Sequence, residues 1–350
     1  MRSRTAIGLD IGTSVVRAVE LSYGRAGITL ERLGQVVLPL DVVSDGEVFE
    51  PEALIDCVRH LWRAAGFSHH KVVLGMANQR VIVRRVDLPW MEAAELRSSL
   101  AFHVADYLPM EVADSVLDFF PFAETTGPDG ARQLSGLLVA ASKASVLSNV
   151  NAVERAGMSV QSVDLTSFAV LRAMGRQQGP EVVTEALVEI GARITNIVVH
   201  EGGVPLFVRI LPMGGQDVTD AVVHALGVPV AEAEAMKQQI AWADTAATKG
   251  LLEQTVNRTA QDFVDEVSGS LDYFAAANPT VRLQRILVAG GGSRLDGLLD
   301  RLAAEVRLPV QAGDPMANLR IGDTGLDPAQ LDFVRPLTAV PVGLAMGGIR

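Results

Sequence analysis

Apolar and polar residues alternate through residues 6–21, AIGLDIGTSVVRAVEL, and again through 186–201, ALVEIGARITNIVVHE. A period of two sends successive side chains to opposite faces, so each stretch predicts two strands joined by a tight turn. A further alternating segment follows each: GITLERLGQVVLP after Gly24, and VPLFVRILPMGG after Gly202-Gly203. Superposing Asp10-Ile11-Gly12 on Glu189-Ile190-Gly191 matches acid, apolar residue and glycine in turn. One strand–turn–strand–turn–strand unit therefore occurs twice, about half a chain apart. That spacing is far longer than a solenoid repeat. It predicts two similar lobes, each opening with a three-stranded meander.

Spacings of three and four take over elsewhere and predict helices. PEALIDCVRHLWRAAG (51–66) ends at a glycine, EAAELRSSLAFHVADYL (92–108) stops at Pro109, and SKASVLSNVNAVERAG (142–157) opens on a capping serine. The second half predicts helices over 217–227, 230–250 and 255–277. Strands at 71–77, 80–89, 114–124 and 132–142, with a turn at TTGPDGA (125–131), give 71–142 a β-β-α-β-β character. That region reads as a small insert in the first lobe.

Composition narrows the class. Hydrophobic residues make up 49% of the 350, ample for a large core, and no low-complexity block suggests disorder. The formal net charge of −11 argues against binding nucleic acid through broad electrostatics. With Cys57 as the single cysteine no internal disulfide can form, a reducing compartment fits, and the thiol is expected to be buried. MRSRTAIGLDIG lacks a signal peptide's apolar core, no run of about 18 uncharged apolar residues occurs, and LAMGGIR carries no basic amphipathic helix. The expectation is a cytoplasmic protein without direct membrane insertion, reaching a membrane only through a partner.

The turns carry the candidate chemistry. Glycine in Asp10-Ile11-Gly12-Thr13-Ser14 permits close approach, and the N–H groups of Gly12, Thr13 and Ser14 are placed to cup an anion, with Arg17 adding positive charge. A carboxylate beside a phosphate repels it unless a cation lies between. Asp10 therefore suits hydrated Mg²⁺, which takes one or two carboxylates plus phosphate oxygens. The echo supplies a second acid, Glu189, beside Gly191. Either turn alone is an ordinary hairpin, but ordinary turns give no reason for the same acid and glycine to recur. RILVAGGGSRLDGLLDRLAAEV (285–306) adds a strand, a Gly290-Gly291-Gly292 run and a helix that Ser293 is expected to cap, with Asp296 completing a capping box. No Walker P-loop and no Rossmann spacing occurs. His69-His70 has no cysteine or acid cluster beside it and reads as surface loop.

Asp-Ile-Gly-Thr, a second acid-Ile-Gly and Val-Ala-Gly-Gly-Gly-Ser, in that order, resemble the phosphate-1, phosphate-2 and adenosine motifs of the actin-like ATPase superfamily. Within it, VDLTSFAVLRA (163–173), LFVRILPMGGQDVTDAV (206–222), AEAEAMK (231–237) and PVGLAMGG (341–348) resemble the PilM family of type IV pilus assembly proteins, itself similar to FtsA. The resemblance implies an α/β, actin-like (ribonuclease H-like), two-lobed fold with duplicated β-meander modules and an inserted, SHS2-like subdomain 1C. Its boundaries would be 1A at 1–77 and 161–180 with 335–350, 1C at 78–160, and 2A with 2B at 181–334. It implies ATP with Mg²⁺ as ligands, Asp10 and Glu189 near the metal, and Gly12, Thr13, Ser14, Arg17, Gly191, Ala192 and Thr195 toward the phosphates. Gly214 and Gly215 match the family's Gly-Gly, Glu234 and Lys237 its Glu-x-x-Lys, and Gly291, Gly292 and Ser293 its adenosine loop.

Three departures stand out. Glu189 replaces a common aspartate, Arg17 a frequent lysine, and Ala192-Arg193 leave the second turn with fewer hydroxyls. Asp164 is the one residue named as a base, so ATP binding with at most slow hydrolysis is expected. The resemblance further implies a partner: the cytoplasmic N-terminal segment of a PilN-like bitopic membrane protein, received in a groove of 1A and 1C, with a link to the pilus motor ATPases. The strands RVIVRRVDLP and SVLDFFPF suit an extended peptide, and Arg84 and Arg85 read as a solvated strand face. An FtsA-like filament protein, a type II secretion adaptor and a small-molecule kinase remain as alternatives.

Overall fold

The computed structural model describes residues 4–175, 182–238 and 246–348. The first lobe opens with β1 (Arg4–Ile11), β2 (Val15–Gly24) and β3 (Gly27–Val37), then a short hairpin of β4 (Val43–Ser44) and β5 (Glu47–Val48), helix α1 (Pro51–Ala65) and β6 (Lys71–Met76). An excursion follows through β7 (Ile82–Pro89), α2 (Ala93–Val104), β8 (Ser115–Thr126), β9 (Arg132–Ser142) and α3 (Lys143–Arg155). The chain returns in β10 (Ser159–Leu165) and α4 (Thr166–Met174). The second lobe holds β11 (Thr184–Ile190), β12 (Thr195–Glu201), β13 (Val204–Leu211), α5 (Gly215–Leu226), α6 (Val230–Gln238), α7 (Ala246–Ala277), β14 (Arg285–Ala289), α8 (Leu298–Val306) and β15 (Val310–Ala312). Then β16 (Arg320–Ile321), α9 (Pro328–Val334) and α10 (Ala339–Gly347) cross back to the first lobe.

The expected duplication is present and reaches past the meanders. One sheet runs β10-β6-β1-β2-β3-β16, the other β13-β12-β11-β14-β15. In each, the three meander strands pair antiparallel and two later strands add in parallel beside the first. The parallel strands are fed by helical crossovers, which places helices on both faces.

Packing joins the two lobes. Ile7, Leu9, Val16 and Leu74 face α1 and α3 on the outer side of the first sheet. In the second, Ala186, Val188 and Ile197 face Phe263, Val264 and Phe274 of α7. The inner faces share one core: Val19, Leu21 and Val73 from one sheet and Leu187, Val198 and Val208 from the other close on Ala169 and Val170 of α4 and Val342 and Leu344 of α10. Close approach demands glycine here, since a Cβ on Gly8 would strike the Pro341 carbonyl and one on Gly343 the Ala169 carbonyl.

The excursion forms a separate antiparallel sheet, β7-β9-β8, with Leu96, Leu100 and Val104 of α2 covering one face. β6 lies in the main sheet, between β1 and β10, so this small sheet starts at Ile82 and not at residue 71. Helix α3 returns to pack Ala152 and Val153 on the first lobe's core.

Local signals hold at several ends. Gly66 closes α1 in the left-handed region at φ +62°, and the Ser142 hydroxyl accepts from the Ser145 N–H at the start of α3. The predicted break at Gly250 is absent: α7 passes through it, and Leu252, Val256 and Ala260 continue its buried face. Residues 239–245 of the helix predicted over 230–250, and residues 176–180 of the segment predicted to close 1A, lie outside the described residues. Cys57, expected to be buried, is half-buried on α1.

Candidate functional site

The two acid-bearing turns are built alike down to their closing bond. The Gly12 N–H donates to Val15 O at 3.0 Å, and the Gly191 N–H to Ile194 O at 2.9 Å. Both glycine N–H groups are thus taken by the turns, so the expected anion cup loses the Gly12 donor and keeps those of Thr13 and Ser14. Strand register places Arg17 opposite Asp10 and Asn196 opposite Glu189. The turns face each other across a small polar cavity of about 80 Å³, walled by Asp10, Gly12, Thr13, Ser14, Arg17, Glu189, Gly191, Ala192 and Asn196, with Gly46, Ala77 and Thr166 closing it.

Burial in this recess raises the Asp10 carboxyl to about 6, against the pull of Arg17 in the other direction. Glu189 is pushed up to about 7, first by burial and further by the charge of Asp10, with Asn196 and Arg17 opposing. Two buried carboxyls, one of them held protonated partly by the charge of the other, form a site short of positive charge. Asn196, which sequence reasoning missed, holds Glu189 in place: its Nδ2 donates to Glu189 Oε2 at 2.9 Å. Its Oδ1 accepts from Thr166 Oγ1 at 3.0 Å and Ser167 Oγ at 2.7 Å, both at the start of α4. The mirrored position opposite Asp10 is the signal that could have found it.

A cleft of about 900 Å³ adjoins this recess, within the range of a cofactor site. Ser14, Arg17, Glu189, Gly191 and Ala192 line both cavities. Beyond them Gly214 and Gly215 start α5, where Gly215 N–H donates to Gly191 O at 3.0 Å and Gln216 N–H to Ala192 O at 2.7 Å. A Cβ on Gly214 would lie 2.5 Å from Gly191 O, so the helix can seat on the turn only with glycine there.

Glu234 and Lys237 form a wall of the cleft. Lys237 Nζ donates to Glu234 Oε2 at 2.6 Å, Thr219 Oγ1 at 2.9 Å and Gly215 O at 3.0 Å, tying α6 to the first turn of α5. Burial pushes the Glu234 carboxyl up, but the bonds from Lys237 and Thr219 outweigh it and leave the group below its ordinary value. Gly291 and Gly292 also line the cleft, and a Cβ on Gly292 would strike the Ile190 side chain. Arg294, also unforeseen, lines the cleft with its guanidinium 3.7 Å from the Phe333 ring centre, and it feels the like charge of Arg17. Arg17 and Arg294 put two guanidiniums on one cleft, while the charge of Lys237 is balanced by Glu234.

Three expected residues stand elsewhere. Thr195 is buried and its hydroxyl donates to Met213 O at 2.9 Å, fixing the approach to α5. Ser293 does not cap a helix: its hydroxyl donates back to Gly290 O at 2.7 Å within a single tight turn, and α8 starts at Leu298 behind Gly297. Gly297 takes φ +72°, which turns the chain before a serine cap could act. Asp164 lies two strand spacings from Asp10, roughly 10 Å, outside both cavity walls, with its carboxylate held by Arg172. His69 and His70 are exposed, as expected of a surface loop.

The donor set can be tested against the implied metal. Among the described residues no three His, Cys, Asp or Glu side chains cluster to hold an ion by themselves. Two carboxylates beside a phosphate-sized recess fit Mg²⁺, which keeps its waters and completes its shell from phosphate oxygens.

Two sheets of one strand order, facing each other over a cleft walled by duplicated acid turns, define the actin-like ATPase fold. Within that class the chain belongs to the type IV pilus assembly protein PilM family, whose family model matches residues 8–349. It is similar to one chain of a PilM–PilN type IV pilus biogenesis complex, with a TM-score of 0.84 and 26% identity over 99% of this chain and 98% of that one. The ethanolamine utilization protein EutJ of Carboxydothermus hydrogenoformans shares the fold at TM-score 0.58 and 16% identity, covering 99% of this chain and 90% of its own. In sequence the chain is 25% identical to the cell division protein FtsA of Bacillus subtilis, over 73% of this chain and 62% of that protein, which is less than two thirds of the relative's length. FtsA of Pseudomonas aeruginosa matches at 24% over 98% of this chain and 89% of its own length. Among the described residues no helix is long and apolar enough to cross a membrane.

Proposed function

We propose that the chain is an Mg-ATP-binding adaptor of the type IV pilus assembly platform, which docks on the cytoplasmic N-terminal segment of a PilN-like membrane protein and links it to the pilus motor. The observation that carries the reading is the recess between two copies of one acid-bearing turn, opening into a cleft of cofactor size. In this reading Asp10 and Glu189 hold Mg²⁺ through water, and Thr13, Ser14, Arg17, Gly191 and Ala192 face the phosphates. Gly214, Gly215, Glu234, Lys237, Gly291 and Gly292 shape the nucleoside end, and Arg294 adds charge at its mouth. Bound Mg²⁺ supplies charge neutralisation between the acids and the phosphates. The excursion 78–160 serves as subdomain 1C and the main sheets as 1A and 2A. Similarity to one chain of a PilM–PilN complex supports the partner, and Arg84 and Arg85 are exposed on opposite faces of β7. Location at the inner membrane follows from that partner.

Isothermal titration with Mg-ATP tests the nucleotide reading. The wild-type chain is expected to bind and Asp10→Ala to lose detectable binding while keeping its circular dichroism. Wild-type affinity in Asp10→Ala would remove the metal role from that residue. Co-purification with the N-terminal peptide of a PilN-like protein tests the partner separately. Mg-ATP-dependent pelleting without peptide capture would favour an FtsA-like filament protein instead.

A further inference from the structure

The turn between β4 and β5 touches both the phosphate recess and the excursion, which also packs on α4 through Phe120 against Phe168. Ser44-Asp45-Gly46-Glu47 is a two-residue hairpin with φ +51° at Asp45 and +75° at Gly46, the left-handed pair that an Asp-Gly turn adopts. On one side, Gly46 and Ala77 form part of the wall of the small recess that holds Asp10 and Glu189. Gly46 packs so tightly that a Cβ on it would collide with the Ala77 carbonyl. On the other side, the same turn grips both chain crossings into the three-stranded excursion. Glu47 Oε1 accepts from Arg80 Nη1 at 3.0 Å, just before β7, and from Ser145 Oγ at 2.8 Å in the first turn of α3, just after β9. Gly46 O accepts from Asn149 Nδ2 at 3.1 Å, one turn further along α3. Ser145 and Asn149 are both buried, so the two bonds they donate are shielded from competing water, whereas the Arg80 bond lies at the surface.

The geometry points to the 44–47 turn as the relay through which occupancy of the phosphate recess sets the orientation of the β7–β9 excursion. The inference rests on the Mg-ATP reading above and adds its regulation. A group filling a recess of about 80 Å³ bears directly on Gly46 and Ala77. Because the turn is close-packed, any shift must pass to Glu47 and the Gly46 carbonyl, and from them to Arg80, Ser145 and Asn149. The excursion is entered and left only at these two crossings, so both ends move together. Linkage then makes the coupling reciprocal: a peptide seated against the excursion changes affinity for Mg-ATP by the factor with which Mg-ATP changes affinity for it.

Hydrogen–deuterium exchange of the full chain, with and without saturating Mg-ATP, tests the relay. In the wild type Mg-ATP is expected to slow exchange at 43–48, 80–84 and 143–149, by about fivefold or more, the lower edge of ordinary coupling. Glu47→Ala with Asn149→Ala cuts every bond from the turn to the crossings, yet neither residue lines a cavity. That double variant is expected to bind Mg-ATP within about twofold of wild type and to keep protection at 43–48 while losing it at 143–149. Transmission that persists in the double variant overturns the relay, and so does a wild type that binds Mg-ATP with no change at 143–149. Absence of any Mg-ATP binding overturns the nucleotide reading and the relay together. If the double variant fails to fold, Arg80→Ala, at an exposed side chain, severs one arm alone, and unchanged protection at 80–84 there overturns the proposal.

Discussion

Asp10 and Glu189 illustrate how position sets the chemistry of one residue. Their carboxyls rise from ordinary values of 3.8 and 4.5 to about 6 and about 7. Each holds its proton more tightly in the folded chain than in the unfolded one. Between about pH 4 and pH 7 the folded state therefore carries more protons, and stability falls as pH rises through that window. Asp10→Asn and Glu189→Gln are expected to stabilise the ligand-free protein at pH 7.5 by on the order of 1 kcal/mol, an advantage that disappears near pH 4. Denaturant midpoints at the two pH values measure it. On the proposed Mg-ATP reading Mg²⁺ displaces these protons, so Mg-ATP affinity should rise from pH 6 to pH 8. Asn196→Ala removes the bond to Glu189 and strands the Thr166 and Ser167 hydroxyls, and titration should show Mg-ATP affinity down about tenfold. The acids were legible because they recur in sequence. Asn196 and Arg294 were not, since their roles come from strand register and from packing on Phe333, which a single residue in a strand or loop does not announce.

Among elements, agreement follows how local the cause is. The meander strands, the Gly66 stop and the Ser142 cap come from side-chain alternation and end-group chemistry within a few residues, and all three were readable. Ser293 before α8 looked like a cap by the same logic, yet the glycine run bends sharply against Ile190 and delays the helix to Leu298. Gly250 looked like a stop, but the buried face of α7 outweighs a cost of about 1 kcal/mol. The strand at 71–76 was readable, but its grouping with the insert was not, since its pairing with β1 is set by a partner some 60 residues away. Elements seated by carbonyl contact are the most sensitive. Gly214→Ala is expected to push α5 off the Gly191-Ala192 turn, lowering both the melting temperature and nucleotide affinity, as differential scanning fluorimetry with and without Mg-ATP would record.

At the scale of the molecule, the two lobes are joined through α4 and α10, which lie between the inner faces of both sheets. Among the described residues α10 is buried from Ala339 to Met346, against Gly8 of β1 and the Ala169 carbonyl of α4. A strand near residue 8 thus waits for a partner near residue 343. As the chain leaves the ribosome, β1, β2 and β3 emerge roughly 300 residues before the helix that covers their inner face. The second sheet, whose strands and helices lie within 184–312, has no such delay and can condense earlier. Nascent chains of this protein should for that interval expose an apolar surface that attracts chaperones, and release from them should coincide with the arrival of the helix at 339–347.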